Sequence, residues 1–195
     1  MTATFEERLN QILPKVTSDT FLAAEGVGKD IPYFIFEYPP ENELAVRHHI
    51  LFLLDHIPKQ KPGLRVVHVN LFDFIIQHLK DRGLLEKSIE MEKTRGKEQL
   101  RKQLEKILHP QKIAPLIAEL IPPDKTDLVL ISGVGNVWPF MRASGLLNNL
   151  HRFTGMTPVV MFYPGLYDQT SFRLFGKVRD KEKQDSYYRA FRLIP

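Results

Sequence analysis

Two glycine pairs are the first features of the sequence that could do chemistry, because backbone amides in glycine-rich turns can hold phosphate groups. The first pair lies in Gly26-Val27-Gly28-Lys29-Asp30 and invites comparison with a nucleotide-binding P-loop. That motif needs a glycine five residues before the Gly-Lys pair and a serine or threonine after it. Ala23 and Asp30 occupy those positions, and a strand is predicted to follow. The segment is therefore predicted to be a turn into the first strand.

The second pair lies in Ser132-Gly133-Val134-Gly135-Asn136-Val137-Trp138, between a predicted strand and a helix predicted over 137–151. A strand-to-helix turn can bind an anion at the positive helix end. Trp138 stands where a dinucleotide site needs its third glycine, and no acidic residue at 163–164 could hold a ribose. Two interpretations stay open: a tight packing turn, or a contact with a ligand or partner. The candidate contact residues are Gly133, Gly135, Asn136 and Trp138.

The remaining polar side chains form no complete catalytic or metal-binding pattern. There are seven histidines, but His48 and His49 point about 100° apart on a helix. No carboxylate completes a His-Glu-x-x-His motif between His49 and His56. Ser132 lacks the Gly-x-Ser-x-Gly setting of a hydrolase nucleophile. We therefore expect no catalytic residue, no metal and no cofactor, and a protein that is not an enzyme.

The C-terminal segment 171–195 carries the chain's charge asymmetry. It holds seven basic residues against three acidic ones, an excess that equals the net charge of +4 of the whole chain. Tyr187-Tyr188-Arg189-Ala190-Phe191-Arg192 interleaves aromatics with arginines, a composition suited to stacking on bases or docking on an acidic protein surface. A half-buried strand shows the same alternation. The candidate contact residues here are Tyr187, Arg189 and Arg192.

Hydrophobic patterns predict the elements that must position these residues. Apolar runs at 32–38, 64–69, 127–131 and 157–163 predict strands, and helices are predicted between them. Segment 84–121 is predicted to be a helical insertion, and 171–195 a basic C-terminal hairpin of edge strands. We predict one α/β domain over 1–195 with a mainly parallel sheet and helices on both faces, a Rossmann-like or degenerate P-loop-like sandwich. Tyr163-Pro164-Gly165 should end its strand in a turn beside the 132–138 loop.

Composition places the chain among intracellular globular proteins. It has no cysteine, which excludes disulfides, thiolate nucleophiles and cysteine-based metal sites. The polar N-terminus does not resemble a signal peptide, and no apolar run approaches the ~20 residues that span a bilayer. A cytoplasmic location without membrane contact is expected.

An ordered series of segments resembles the BrxB family, a small component of bacterial BREX phage-defence systems. The similarity extends from about residue 30 to the C-terminus. The segments that carry it are residues 33–40, 43–44, 132–135, 139–142, 146–148, 158–165, 174–176 and 187–191. The resemblance implies a place in a multiprotein assembly with a DNA methyltransferase, an ATPase and the alkaline-phosphatase-like protein PglZ. It implies no catalytic residue.

Two functional hypotheses follow. The first is an adaptor that docks another subunit, with a PglZ-like protein as the expected partner, through the loops at 132–138 and 163–168 and the strand at 187–192. Arg142, Tyr163 and Gly165 complete its candidate contact residues. The alternative is nucleic-acid or nucleotide binding through the basic C-terminal segment or the 133–136 turn, including DNA contact within the complex.

Overall fold

A parallel sheet forms the centre of the computed structural model, which describes residues 3–28, 30–169, 171–179 and 190–195. The strands are β1 (Tyr33–Tyr38), β2 (Val66–Asn70), β3 (Leu128–Ser132), β4 (Val159–Tyr167), β5 (Phe172–Leu174), β6 (Val178–Arg179) and β7 (Phe191–Arg192). The main sheet has the order β2-β3-β4-β1-β7 with every neighbouring pair parallel. β4 runs on beyond this sheet to pair antiparallel with β5, which in turn pairs with β6.

Helices cover both faces of the sheet. They are α1 (Phe5–Asn10), α2 (Ile12–Thr17), α3 (Asp19–Leu22), α4 (Glu43–Gln60), α5 (Leu71–Asp81), α6 (Leu85–Arg95), α7 (Lys97–Ile107), α8 (Pro110–Ala118) and α9 (Ala143–Thr154). Buried residues of α1 to α4 form one core with Phe34 and Phe36, and those of α5, α7, α8 and α9 form a second core with Tyr33 and Ile35. Successive strand residues point to opposite faces. The predicted fold class, α/β with a mainly parallel sheet between helices, is confirmed.

Local signals in the sequence set several helix boundaries. Thr4 and Glu7 form the capping box that begins α1. Asn70 caps α5, with its side-chain Oδ1 accepting hydrogen bonds from the amides of Phe72 and Asp73. Pro14 lies in the first turn of α2, where proline sacrifices no helical hydrogen bond.

The apolar stripe of α4 is narrower than its sequence indicates. Val46, Ile50, Leu53 and Ile57 are buried against the sheet. The helical spacing of Leu44, Leu51 and Leu54 would widen this stripe, but Leu44 and Leu51 are 68% and 64% exposed and only Leu54 is half-buried. α4 therefore buries one row of side chains and leaves a second apolar row open.

The segment after α5 is helical, as predicted, and breaks at Gly96, whose φ of +78° ends α6 and begins α7. The C-terminal segment differs from the prediction. No hairpin joins the strands at its two ends among the described residues: β5 pairs with β4, whereas β7 joins β1 in parallel at the far edge of the sheet. In the described part of the chain, no helix has both the length and the apolar character needed to cross a membrane.

Candidate functional site

The segment between β3 and α9 does not have the predicted geometry. The helix expected from residue 137 begins at Ala143, and a single 3₁₀ turn, Gly135–Val137, occupies the space before it. Trp138 is extended, with φ −70° and ψ 139°, and precedes Pro139. The amides of 133–136 therefore do not open α9, and the helix start predicted at residue 137 is wrong.

Close packing explains the glycines at positions 133 and 135 of this loop. Gly133 has a φ of +72°, and a Cβ added to it would collide with Oδ1 of Asn70, the cap of α5. A Cβ on Gly135 would lie 3.0 Å from both the Phe175 ring and Cγ of Pro164. These contacts confirm that the 132–138 loop lies beside the 163–165 segment and favour the packing interpretation of both glycines.

Gly165 and Tyr163 are structural as well. The predicted turn at 163–165 is wrong, because β4 continues to Tyr167. Gly165 faces Leu174 of β5, and a Cβ there would collide with the backbone carbonyl of Arg173. Tyr163 is 1% exposed and packs its ring edge-on against Phe172, with the centroids 5.0 Å apart. Neither residue can contact a partner directly.

Asn136, Trp138, Arg142 and Phe175 remain as the accessible group, which we term the loop surface. Trp138 is 41% exposed and Phe175 is 38% exposed, whereas Arg142 is half-buried. Trp138 and Arg142 border a narrow pocket whose other walls are Val134, Met141, Tyr163 and Leu174. The arrangement holds a large aromatic side chain on a short, packed loop.

A chain of hydrogen bonds fixes the loop surface to α4. The Tyr38 hydroxyl donates to Oε2 of Glu43 at 2.6 Å, and Nε of Arg47 donates to Oε1 of the same carboxylate at 2.8 Å. The guanidinium of Arg47 then donates to Oδ1 of Asn136 at 3.2 Å. Burial, followed by the hydrogen bond to the Glu43 carboxylate, raises the pKa of Tyr38 far above its ordinary value. The hydroxyl therefore remains a donor throughout the physiological range.

Arg192, a predicted contact residue, is engaged within the fold. Its Nε lies 3.2 Å from Oε1 of Glu37, and its guanidinium donates to the Tyr167 carbonyl at 2.8 Å. Arg8 approaches the same Glu37 oxygen at 3.6 Å. Burial raises the pKa of Glu37, while Arg192 and Arg8 oppose that shift. Arg192 thus ties β7 to β1 and β4. Tyr187 and Arg189, also predicted contacts, lie outside the described residues.

One polar pair escaped the sequence interpretation. Nε2 of His68 on β2 lies 2.8 Å from Oγ of Ser132 on β3. The two strands are parallel neighbours in which Asn70 is opposite Ser132, so His68 is two residues back along β2. Burial lowers the pKa of His68, and the charge of Asp73 opposes that shift. A neutral imidazole can accept a proton from the serine, yet within the described residues nothing hydrogen-bonds Nδ1 to orient the ring as a general base requires.

Comparisons with known proteins identify the family. The family described as "BREX protein BrxB" matches residues 67–193. A BREX protein BrxB from Escherichia coli O9:H4 (strain HS) is 40% identical over 190 residues, which cover 97% of this chain and 92% of the relative. One from Bacillus cereus (strain H3081.97) is 36% identical over 192 residues, covering 96% of each. The chain belongs to the BrxB family. No solved structure matches it.

The BrxB match extends from β2 to β7 and therefore contains the whole loop surface together with His68 and Ser132. It confirms the resemblance inferred from the ordered segments. Within the described residues of this BrxB-family chain, no three histidine, aspartate or glutamate side chains are grouped so that they could hold a metal ion. The geometry offers a surface for contact, with one serine–histidine pair beside it.

Proposed function

We propose that this BrxB-family chain is a non-catalytic adaptor subunit of a BREX phage-defence assembly, and that its loop surface docks a PglZ-like subunit. The observation that carries the proposal is Trp138, a large aromatic side chain left 41% exposed on a packed loop. Tryptophan and arginine dominate binding energy at protein interfaces, most strongly where they are held in place before binding. Trp138 and Arg142 supply that pair here.

The loop surface is held in place before any partner binds, which supports the same proposal. Asn136 is held by Arg47, and the 133–135 turn is packed against Asn70, Pro164 and Phe175. A partner that binds this surface has little loop entropy to remove. Membership of the BrxB family supports a role with other BREX proteins, and PglZ is the partner that we infer.

Binding of the PglZ-like protein from the same BREX system to purified variants tests the proposal. Trp138→Ala should lose about 2 kcal/mol of binding free energy, roughly a thirtyfold rise in Kd, as a central interface tryptophan does. Arg142→Ala should weaken binding by a smaller factor. Phe153→Ala is the matched control, because Phe153 is 37% exposed at the opposite end of α9. Unchanged affinity in both loop variants, with folding intact, would contradict the proposal.

The alternative, nucleic-acid or nucleotide binding, receives no specific support from the described residues. The 133–136 turn does not open a helix, and Arg192 is held by Glu37 and the Tyr167 carbonyl. The prediction for the basic segment stands untested, because residues 180–189 lie outside the described part of the chain. Titration with duplex DNA at two salt concentrations tests it, since contact with several phosphates produces a steep salt dependence.

A further inference from the structure

β2 forms the outer edge of the sheet. The backbone N–H and C=O groups on its free side point away from the sheet. In a parallel ladder, alternate residues bond to opposite sides. The Arg65 carbonyl accepts a hydrogen bond from Leu128 of β3, and the amide of Val129 turns instead to Pro158 beside β4. Residues 65, 67 and 69 therefore bond to β3. The backbone N–H and C=O of Val66 and His68 point outward, and the described residues supply no partner for them.

A groove of about 900 Å³ lies beside the carboxyl-terminal part of β2, where His68, Val69 and Asn70 line it. α4 forms one wall, and α5 and α8 form the other, on the opposite face of the sheet. Apolar side chains line it and are open to solvent, with Leu51 64% exposed and Leu120 49% exposed. Leu51 of the exposed apolar row of α4 thus lines this groove. An extended chain of about five residues, 17 Å at 3.3 Å each, matches the length of β2.

Among the described residues, β2 lacks the lysine, proline and bulge that often protect an edge strand. Proteins block free edges with lysine, proline, bulges or a covering loop. The sequence Val66-Val67-His68-Val69-Asn70 has no charged residue other than a titratable histidine and no proline. It pairs with β3 in unbroken register over all five residues, without a bulge. An edge of this kind favours the addition of another strand.

The charge of the groove indicates which kind of segment can bind there. Asp73, Asp81 and Glu119 line it against a single arginine, Arg47, whose Nε is already bonded to Glu43. Burial lowers the pKa of the other two titratable groups in its lining, His68 and His78, which are therefore neutral at pH 7. The groove is thus acidic in a chain whose net charge is +4. A second copy of β2 would bring a second set of the same carboxylates, so like-charge repulsion disfavours self-pairing.

We propose that the groove along β2 binds an extended, basic segment of a partner protein, which adds to the sheet as a strand beside β2. Backbone hydrogen bonds to Val66 and His68 supply affinity, and basic side chains contact Asp73, Asp81 and Glu119. This surface is separate from the loop surface and goes beyond the proposed docking of a PglZ-like protein. It gives the chain the second contact that an adaptor needs.

A displayed library of random nonapeptides is the probe, selected on the wild-type protein. The selected peptides should be basic. Synthetic copies should bind His68→Pro at least about tenfold more weakly than His68→Ala, the effect of one lost hydrogen bond and an obstructing ring. Both variants lose the bond to Ser132, but only the proline removes the outward N–H. Proline is tolerated in an edge strand where its missing N–H faces outward.

Two further measurements keep the test decisive if His68→Pro fails to fold. Hydrogen exchange on the wild-type protein should show that bound peptide slows exchange of the His68 amide, which contact with side chains alone would not do. The double variant Asp81→Lys, Glu119→Lys should lose the basic peptides. Trp138→Ala should bind them normally, which separates this proposal from the loop surface. Failure to enrich basic peptides, equal binding to His68→Pro and His68→Ala, or an unprotected His68 amide would overturn the inference.

Discussion

The loop surface and the β2 groove both lie near the carboxyl ends of the strands, yet they are built by different means. The loop surface presents Trp138 on a segment in which Gly133 packs too closely against Asn70 for a side chain and Gly135 lies against Phe175 and Pro164. The groove is a space between helices along an unpaired strand. The first surface is suited to side-chain recognition and the second to backbone recognition. The difference shows how one sheet can provide two contacts with separate requirements.

The largest expected effect comes from the packing beneath the loop surface. Gly165→Ala should destabilise the protein by about 2–3 kcal/mol, because the new methyl group would force β4 away from the Arg173 carbonyl. Leu166→Ala is the control at the next position, where a side chain that is 55% exposed should change stability by less than about 0.5 kcal/mol. Urea unfolding measures both. Equal stability of the two variants would show that the loop surface does not depend on this close approach.

Arg192 on β7 allows a structural role to be distinguished from a binding role. Arg192→Ala should cost about 1–3 kcal/mol of stability, because it leaves the half-buried Glu37 with Arg8 at 3.6 Å and removes the donor to Tyr167. Arg192→Lys retains the charge and should recover part of the loss. Thermal and urea unfolding measure stability, and partner binding is compared at temperatures where every variant is folded. If an Arg192 variant kept full stability but bound the partner more weakly, Arg192 would count as a contact residue.

The stability of the folded protein is expected to depend on pH through His68, which lines the groove. Because burial lowers its pKa in the folded state from the ordinary 6.5, the folded protein binds fewer protons there than the unfolded chain does. Stability should therefore fall as pH drops from about 6.5 through the lowered value. His68→Gln, whose amide can still bond Ser132, should reduce this loss. His49 and His78 have lowered pKa values for the same reason, so a smaller acid sensitivity should persist.

Urea unfolding between pH 7.5 and pH 5 measures that loss of stability. A His78→Gln variant is the control, because His78 lies on α5 in a wall of the groove and is less deeply buried. Its effect on the pH dependence of stability should therefore be smaller. Identical pH profiles for wild type and His68→Gln would mean that His68 has the same pKa in the folded and unfolded states.

The sequence was sufficient wherever short-range chemistry decides structure. The apolar run at 127–131 predicts a strand, and β3 is fully buried there. Pro139 was also a usable signal, since the residue before a proline avoids helical geometry, and it was overlooked when a helix was drawn through it. Nothing local could have paired His68 with Ser132, because that contact depends on β2 and β3 being neighbours, which strand order alone decides.

The smallest effect concerns the connection between the two surfaces. Arg47 lines the groove and donates to Asn136 of the loop surface at 3.2 Å. Both side chains are exposed, so their interaction should contribute only about 0.5 kcal/mol. A double-mutant cycle of Arg47→Ala and Asn136→Ala, read in binding of the PglZ-like protein, measures it. If a basic peptide in the groove changes that affinity in the wild type but not in Arg47→Ala, the two contacts are coupled through this arginine. If the peptide has no effect in either, the surfaces bind independently, as their separate construction implies.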